Sequence, residues 1–128
     1  MGHFHCGNIS KFVVRYVYAK GTATLRQMTD SAVRRREKIH ASEGSYDSRE
    51  MLEQGIEILL SIHCQAGVLE PVLAGDRQRD LWFGYWLHQF DWEDEEYQEF
   101  LDIPVRFAPG MRRHYLDGKI HHVHYIDQ

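Results

Sequence analysis

Nine of the 128 residues are histidine, and His3, His5, His114, His121, His122 and His124 crowd toward the two ends of the chain. On extended backbone, His3 shares a face with His5, and His122 with His124. Pairing of a first strand with a last strand would bring Cys6 and several imidazoles around one zinc-like divalent ion, which accepts nitrogen and sulfur ligands in a tetrahedron. His3, His5, His122 and His124 are the candidate ligands on that reading. No HExxH or CxxC spacing accompanies them. The plainer account is a set of half-exposed strand histidines, whose mutual repulsion on protonation would loosen a sheet edge below about pH 6.

The segment DWEDEEYQEFLD, residues 91–102, holds seven carboxylates and no base, while the remainder of the chain nets +3. Helical spacing gathers Trp92, Tyr97, Phe100 and Leu101 into an apolar stripe and leaves a negative face with Glu95, Glu96 and Glu99. Such a face steers basic partners and raises the rate of association; its plain alternative is a solvated helix with a favourably charged first turn. Nothing in the sequence buries one of these acids to raise its pKa, so an acid–base catalytic pair is not expected. Just upstream, Leu81-Trp82-Phe83-Gly84-Tyr85-Trp86 packs four aromatics around a glycine, more than one helical face buries. Trp82, Tyr85, Trp86 and Trp92 therefore join the three glutamates as candidate partner-binding residues, with a large core contact as the competing use of the rings.

Arg34, Arg35, Arg36 and Lys38 form a basic run within residues 1–42, which carry a formal +6. A phosphate-contacting surface would use them, but the chain's net charge of −4 and the lack of any recognition-helix, RNP or zinc-finger pattern weigh against nucleic acid. His63-Cys64 is not a nucleophile–base pair, because helix neighbours point about 100° apart; Cys64 reads as a small core residue. No GxSxG, Walker or dinucleotide glycine pattern occurs.

These residues need a scaffold, and the chain has the length for one domain spanning 1–128. With 43% hydrophobic and 27% charged residues the composition is globular. No apolar run reaches the roughly 18 residues of a membrane span. The first residues lack the features of a secretory signal and Cys6 and Cys64 form no disulfide pattern, so a reduced, cytoplasmic protein is expected.

Alternation from Ile9 to Ala19 predicts a strand with Phe12, Val14, Tyr16 and Tyr18 on its buried face. Thr24 and Gln27 form a capping box that opens a helix to about His40, with Leu25, Met28, Ala32 and Ile39 inward. Asp47 and Glu50 open a clearer helix through Leu52, Ile56, Leu59, Leu60 and His63, ending at Gly67. Asp76 caps a third helix to about Phe90, and Asp91 opens a fourth to Leu101. Val105 to Phe107 reads as a short strand after Pro104. Asp117-Gly118, between Met111–Leu116 and Lys119–Ile126, is a type I′ hairpin signal.

The fold expected is α+β: an antiparallel sheet of about four strands, combining the N-terminal strand with the C-terminal hairpin, covered by three to four helices. The function expected first is a non-enzymatic protein-binding module without a cofactor, engaging a larger protein through the acidic, aromatic-rich helices. Small accessory or inhibitor proteins of the anti-defence, immunity or antitoxin kind are of this physical type. A histidine-rich metal-binding protein or metal-dependent enzyme is the second expectation and a nucleic-acid-binding protein the third. The opposed charges of the chain's two ends also suit a homodimer.

Overall fold

The computed structural model describes the backbone of residues 2–35, 48–87 and 94–116 and the side chains of 11–35, 48–86 and 95–116. Six helices and a small antiparallel sheet occupy this part of the chain. In order they are α1 (Gly2–Lys20), β1 (Thr22–Ala23), α2 (Leu25–Arg34), α3 (Arg49–Gln65), β2 (Leu69–Pro71), α4 (Asp76–Leu87), α5 (Asp94–Leu101), β3 (Val105–Phe107) and α6 (Met111–Leu116). The architecture is α+β, as expected. The sheet has three strands in the order β1-β3-β2 rather than about four.

The largest departure is the N-terminal strand, which is part of helix α1. Phe12, Val13, Val14 and Val17 are buried, whereas Lys11 and Arg15 are exposed. Alternation had put Val13 and Val17 on the same side as those two cations. A helical period separates them: Val13 and Val17 stand four apart on the inner face, Lys11 and Arg15 four apart on the outer. The β-branched residues favour a strand locally, but burial of the whole valine set against the other helices overrides that preference. His3 and His5 accordingly belong to a helix and not to a strand. Gly21, at φ +84°, ends α1 and donates its N–H to the Val17 carbonyl at 2.8 Å, a backbone region open to glycine at no steric cost.

Met111–Leu116, expected as the first arm of the hairpin, is helix α6. The preceding Pro109-Gly110 turn, with Gly110 at φ +83°, feeds a helical turn whose Met111 and Tyr115, four apart, both pack on the core. Asp117-Gly118 and the second arm lie outside the described residues.

Helices α2 and α3 follow their sequence signals. Thr24 accepts from the Gln27 backbone at 3.0 Å while the Gln27 side chain accepts from the Thr24 N–H at 3.0 Å, completing the capping box of α2. Leu25, Met28 and Ala32 are buried; Ile39 lies outside the described residues. The cap of α3 is Ser48, which accepts from the Met51 N–H, one residue later than the expected Asp47. Leu52, Ile56, Leu59, Leu60 and His63 form its buried stripe. The helix closes in a Schellman turn, with Gly67 at φ +78°, Gly67 N–H donating to Cys64 O and Val68 N–H to His63 O.

Strand β3 sits between its partners: Ala23 and Pro71 both stand opposite Val105, Thr22 and Glu70 both opposite Arg106, and Leu69 opposite Phe107. Alternation turns Ala23, Leu69, Val105 and Phe107 toward the helices and leaves Thr22, Glu70 and Arg106 on the outer face, where Arg106 and Glu70 form an ion pair at 2.8 Å. One core of buried apolar residues runs through α1–α5 and the sheet. Among the described residues, no helix is long and apolar enough to cross a membrane.

Candidate functional site

The aromatic surplus of α4 is absorbed largely within the molecule. Phe100 of α5, 1% exposed, lies at the centre of a ring cluster. Tyr85 stacks on it at 4.0 Å between centroids and Trp82 at 5.5 Å, Trp86 meets it edge-on at 5.4 Å, and Tyr97 lies at 6.2 Å. Offset and edge-on pairs of this kind add roughly 0.5–1.5 kcal/mol each beyond the area they bury. Trp82 is buried, and Tyr85, Trp86 and Tyr97 are half-buried. Three of the candidate binding aromatics, Trp82, Tyr85 and Trp86, therefore unite α4 and α5 into one unit.

Two carboxylates that sequence reasoning did not single out join this unit to α3. Glu53 and Glu57, one helical turn apart, accept from tyrosine hydroxyls: Tyr85 donates to Glu57, and Tyr97 donates to Glu53 at 2.6 Å with a longer contact to Glu57 at 3.4 Å. Burial, reinforced by the adjoining carboxylates, pushes both phenols well above their ordinary range. They remain protonated donors at any physiological pH. The four-residue spacing of Glu53 and Glu57 beside the α3 stripe was the available sequence signal.

The acids of α5 divide into two groups. Glu99 receives Arg77 of α4 in a two-pronged contact, with Nε 3.0 and 2.9 Å from its two carboxylate oxygens. Asp102, just past the helix, accepts from Arg26 of α2 at 2.8 Å, while the same guanidinium reaches the Gln98 side chain at 2.7 Å and its backbone carbonyl at 3.1 Å. These contacts clamp α5 to α2 and α4. Glu95 is exposed and Glu96 half-exposed, near the N-terminal end of the helix, where the backbone dipole favours negative charge.

Between α4 and α5 lies a depression of about 430 Å³ lined by Arg77, Asp80, Leu81 and Glu96. Leu81 is nearly buried at its floor, and Phe83 of α4, one turn beyond Asp80, is 49% exposed. Arg77, Asp80 and Phe83 were missed as site residues; the head of α4 offers only an ordinary alternation of charges, and Phe83 is hidden in a run of aromatics.

The remaining candidates are scattered. Arg34 and Arg35 are exposed at the end of α2, whereas Trp92, Arg36, Lys38, His122 and His124 lie outside the described residues, as do the side chains of His3 and His5. Among the described residues, no group of three or more histidine, cysteine or acidic side chains is placed to hold a metal ion. His63 is fully buried on α3, and burial depresses its pKa to about 4. Cys64 is a half-buried thiol whose pKa burial raises to about 12, the opposite of what an activated nucleophile requires. Comparison of the chain with protein-family models, curated proteins and solved structures finds no match.

Proposed function

We propose that the protein is a non-enzymatic binding module that engages a larger protein through the exposed side of α4 and α5. The observation that carries this reading is the depression in which Asp80 and Glu96 flank an apolar floor at Leu81, with the half-exposed ring of Phe83 one turn away. Arg77 is committed to Glu99, so the surface around the depression is acidic, with Glu95 adding to it. Charges around an apolar anchor are the usual anatomy of a protein contact. The complementary partner is a basic surface that places a lysine or arginine against the carboxylates and packs an apolar group on Phe83. The internally packed rings support this role by holding the two helices rigid, which lowers the ordering cost of binding. The module works in the cytoplasm on this account, in keeping with Cys64 being a thiol.

The test is co-purification of the untagged protein from its host lysate. Charge reversal by Asp80→Lys with Glu95→Lys abolishes recovery of the partner while Tm falls by no more than about 4 °C, the cost of one cation at the head of α5, because Glu99 and Asp102, the acids that hold α5, are left in place. Phe83→Ala weakens capture roughly tenfold, the value of re-exposing half a phenyl ring. Undiminished capture by both variants removes this surface from the account.

A further inference from the structure

A second surface of opposite sign is built from parts of the chain that are far apart in sequence. Residues 11–20 of α1 and 105–116 of β3 and α6 contain six lysine or arginine residues and no aspartate or glutamate. Aromatic contacts lay α6 against the end of α1: the rings of Tyr18 and Tyr115 are 4.9 Å apart, the Arg112 guanidinium sits 4.2 Å over Tyr18, and Tyr115 lies 5.8 Å from Phe107. Lys11, Arg15 and Tyr18 are spaced four and three residues apart, which places them along one side of α1. Lys11, Arg15, Arg112 and Arg113 are all exposed, whereas Lys20, whose ammonium lies 5.7 Å over the ring of Tyr16, stands with that ring on the other side of α1. Among the described residues, Arg106 alone of the six is engaged by an acid, Glu70 on the outer face of the sheet.

We propose that the α1–α6 surface binds single-stranded nucleic acid, with Lys11, Arg15, Arg112 and Arg113 on the phosphates and Tyr18 and Tyr115 as the neighbouring platform for bases. A net charge of −4 disfavours generic association, but at physiological salt a surface responds to charges within about 8 Å. The acids of α5 at Glu99 and Asp102 are matched by Arg77 and Arg26 on α4 and α2, not by the cations of this face. Rings interleaved with cations suit unpaired bases, whose faces are accessible, rather than a duplex, whose bases are stacked internally.

The experiment is fluorescence anisotropy of a labelled oligouridine of about 20 nucleotides against the full-length protein, titrated with salt. Single strands lose about 0.7 in the logarithmic salt slope per phosphate contact, so four contacts give a slope of about −2.8 and an affinity loss of roughly fiftyfold from 50 to 200 mM. Lys11→Ala with Arg15→Ala removes two contacts, and the slope falls to about −1.4. Both side chains are exposed, so unfolding midpoints stay unchanged. No binding at low salt overturns the proposal, as does a slope that responds to Arg34→Ala with Arg35→Ala instead. A duplex of equal length bound as tightly as the single strand overturns the assignment to unpaired bases. Self-association in place of oligonucleotide binding points to the acidic face of a second copy and also overturns it.

Discussion

Lowering the pH from 7 to 5 should destabilise the fold through His63. The ring is fully buried, and the loss of water around its charged form depresses its pKa from 6.5 to about 4. Above pH 6.5 the imidazole is neutral in both folded and unfolded chains and the shift has no effect on stability. As the pH falls below 6.5 the unfolded chain takes up a proton that the folded chain refuses, so unfolding is favoured progressively. The penalty is complete only below about pH 4. With those two pKa values, proton linkage gives a loss of about 2 kcal/mol between pH 7 and pH 5, or about 7 °C in Tm for a domain of this size. Urea unfolding at the two pH values measures it directly. The comparison is with His63→Gln, which keeps approximate size and polarity but cannot be protonated, so that pH effects from elsewhere in the chain cancel. The variant is less stable at pH 7, and its loss on acidification is smaller by about 2 kcal/mol. Equal losses in the two proteins would refute the assignment of the pH response to this buried ring.

Removing the central ring in Phe100→Ala costs about 4 kcal/mol, a fall of about 15 °C in Tm, because four other rings lose their common partner; Phe100→Leu retains most of the volume and loses about 1.5 kcal/mol. A cost below about 1 kcal/mol for the alanine variant would contradict the clustered arrangement. Iodoacetamide at pH 8, followed at Cys64 by peptide mapping, reacts about a thousandfold more slowly with the folded chain than with the urea-unfolded chain, because little thiolate is present. Equal rates would show that the thiol is not shielded.

Much of the helical scaffold was legible because its stops and periods are local. Thr24 and Gln27 announce the head of α2, Gly67 the end of α3, and the Leu52-to-His63 stripe identifies both the core pillar and the buried histidine. Val105 to Phe107 was legible as a strand from Pro104 and the following Pro109-Gly110. The N-terminal helix was not, since Phe12 to Tyr18 fits an alternating pattern as well as a helical one, and the choice depends on what packs beside Val13 and Val17. Strands β1 and β2 carry two and three residues, too few for a period to register, and their pairing with β3 is purely tertiary. Similar reasons govern the candidate site. The acidity of α5 is evident in its composition, but the commitment of Glu99 to Arg77 and of Asp102 to Arg26 depends on helices distant in sequence. The exposure of Glu95 and the place of Glu96 at the rim of the depression, beside the clamping roles of Glu99 and Asp102, emerge only when α2, α4 and α5 are assembled.

The most direct test of the binding-module account is native mass spectrometry of the untagged protein after gentle purification from its host, run beside the Asp80→Lys, Glu95→Lys variant. The account predicts a complex with a second, larger polypeptide for the unmodified chain and its loss in the variant, which melts within about 4 °C of it. A complex of the same mass and abundance in both preparations would contradict it.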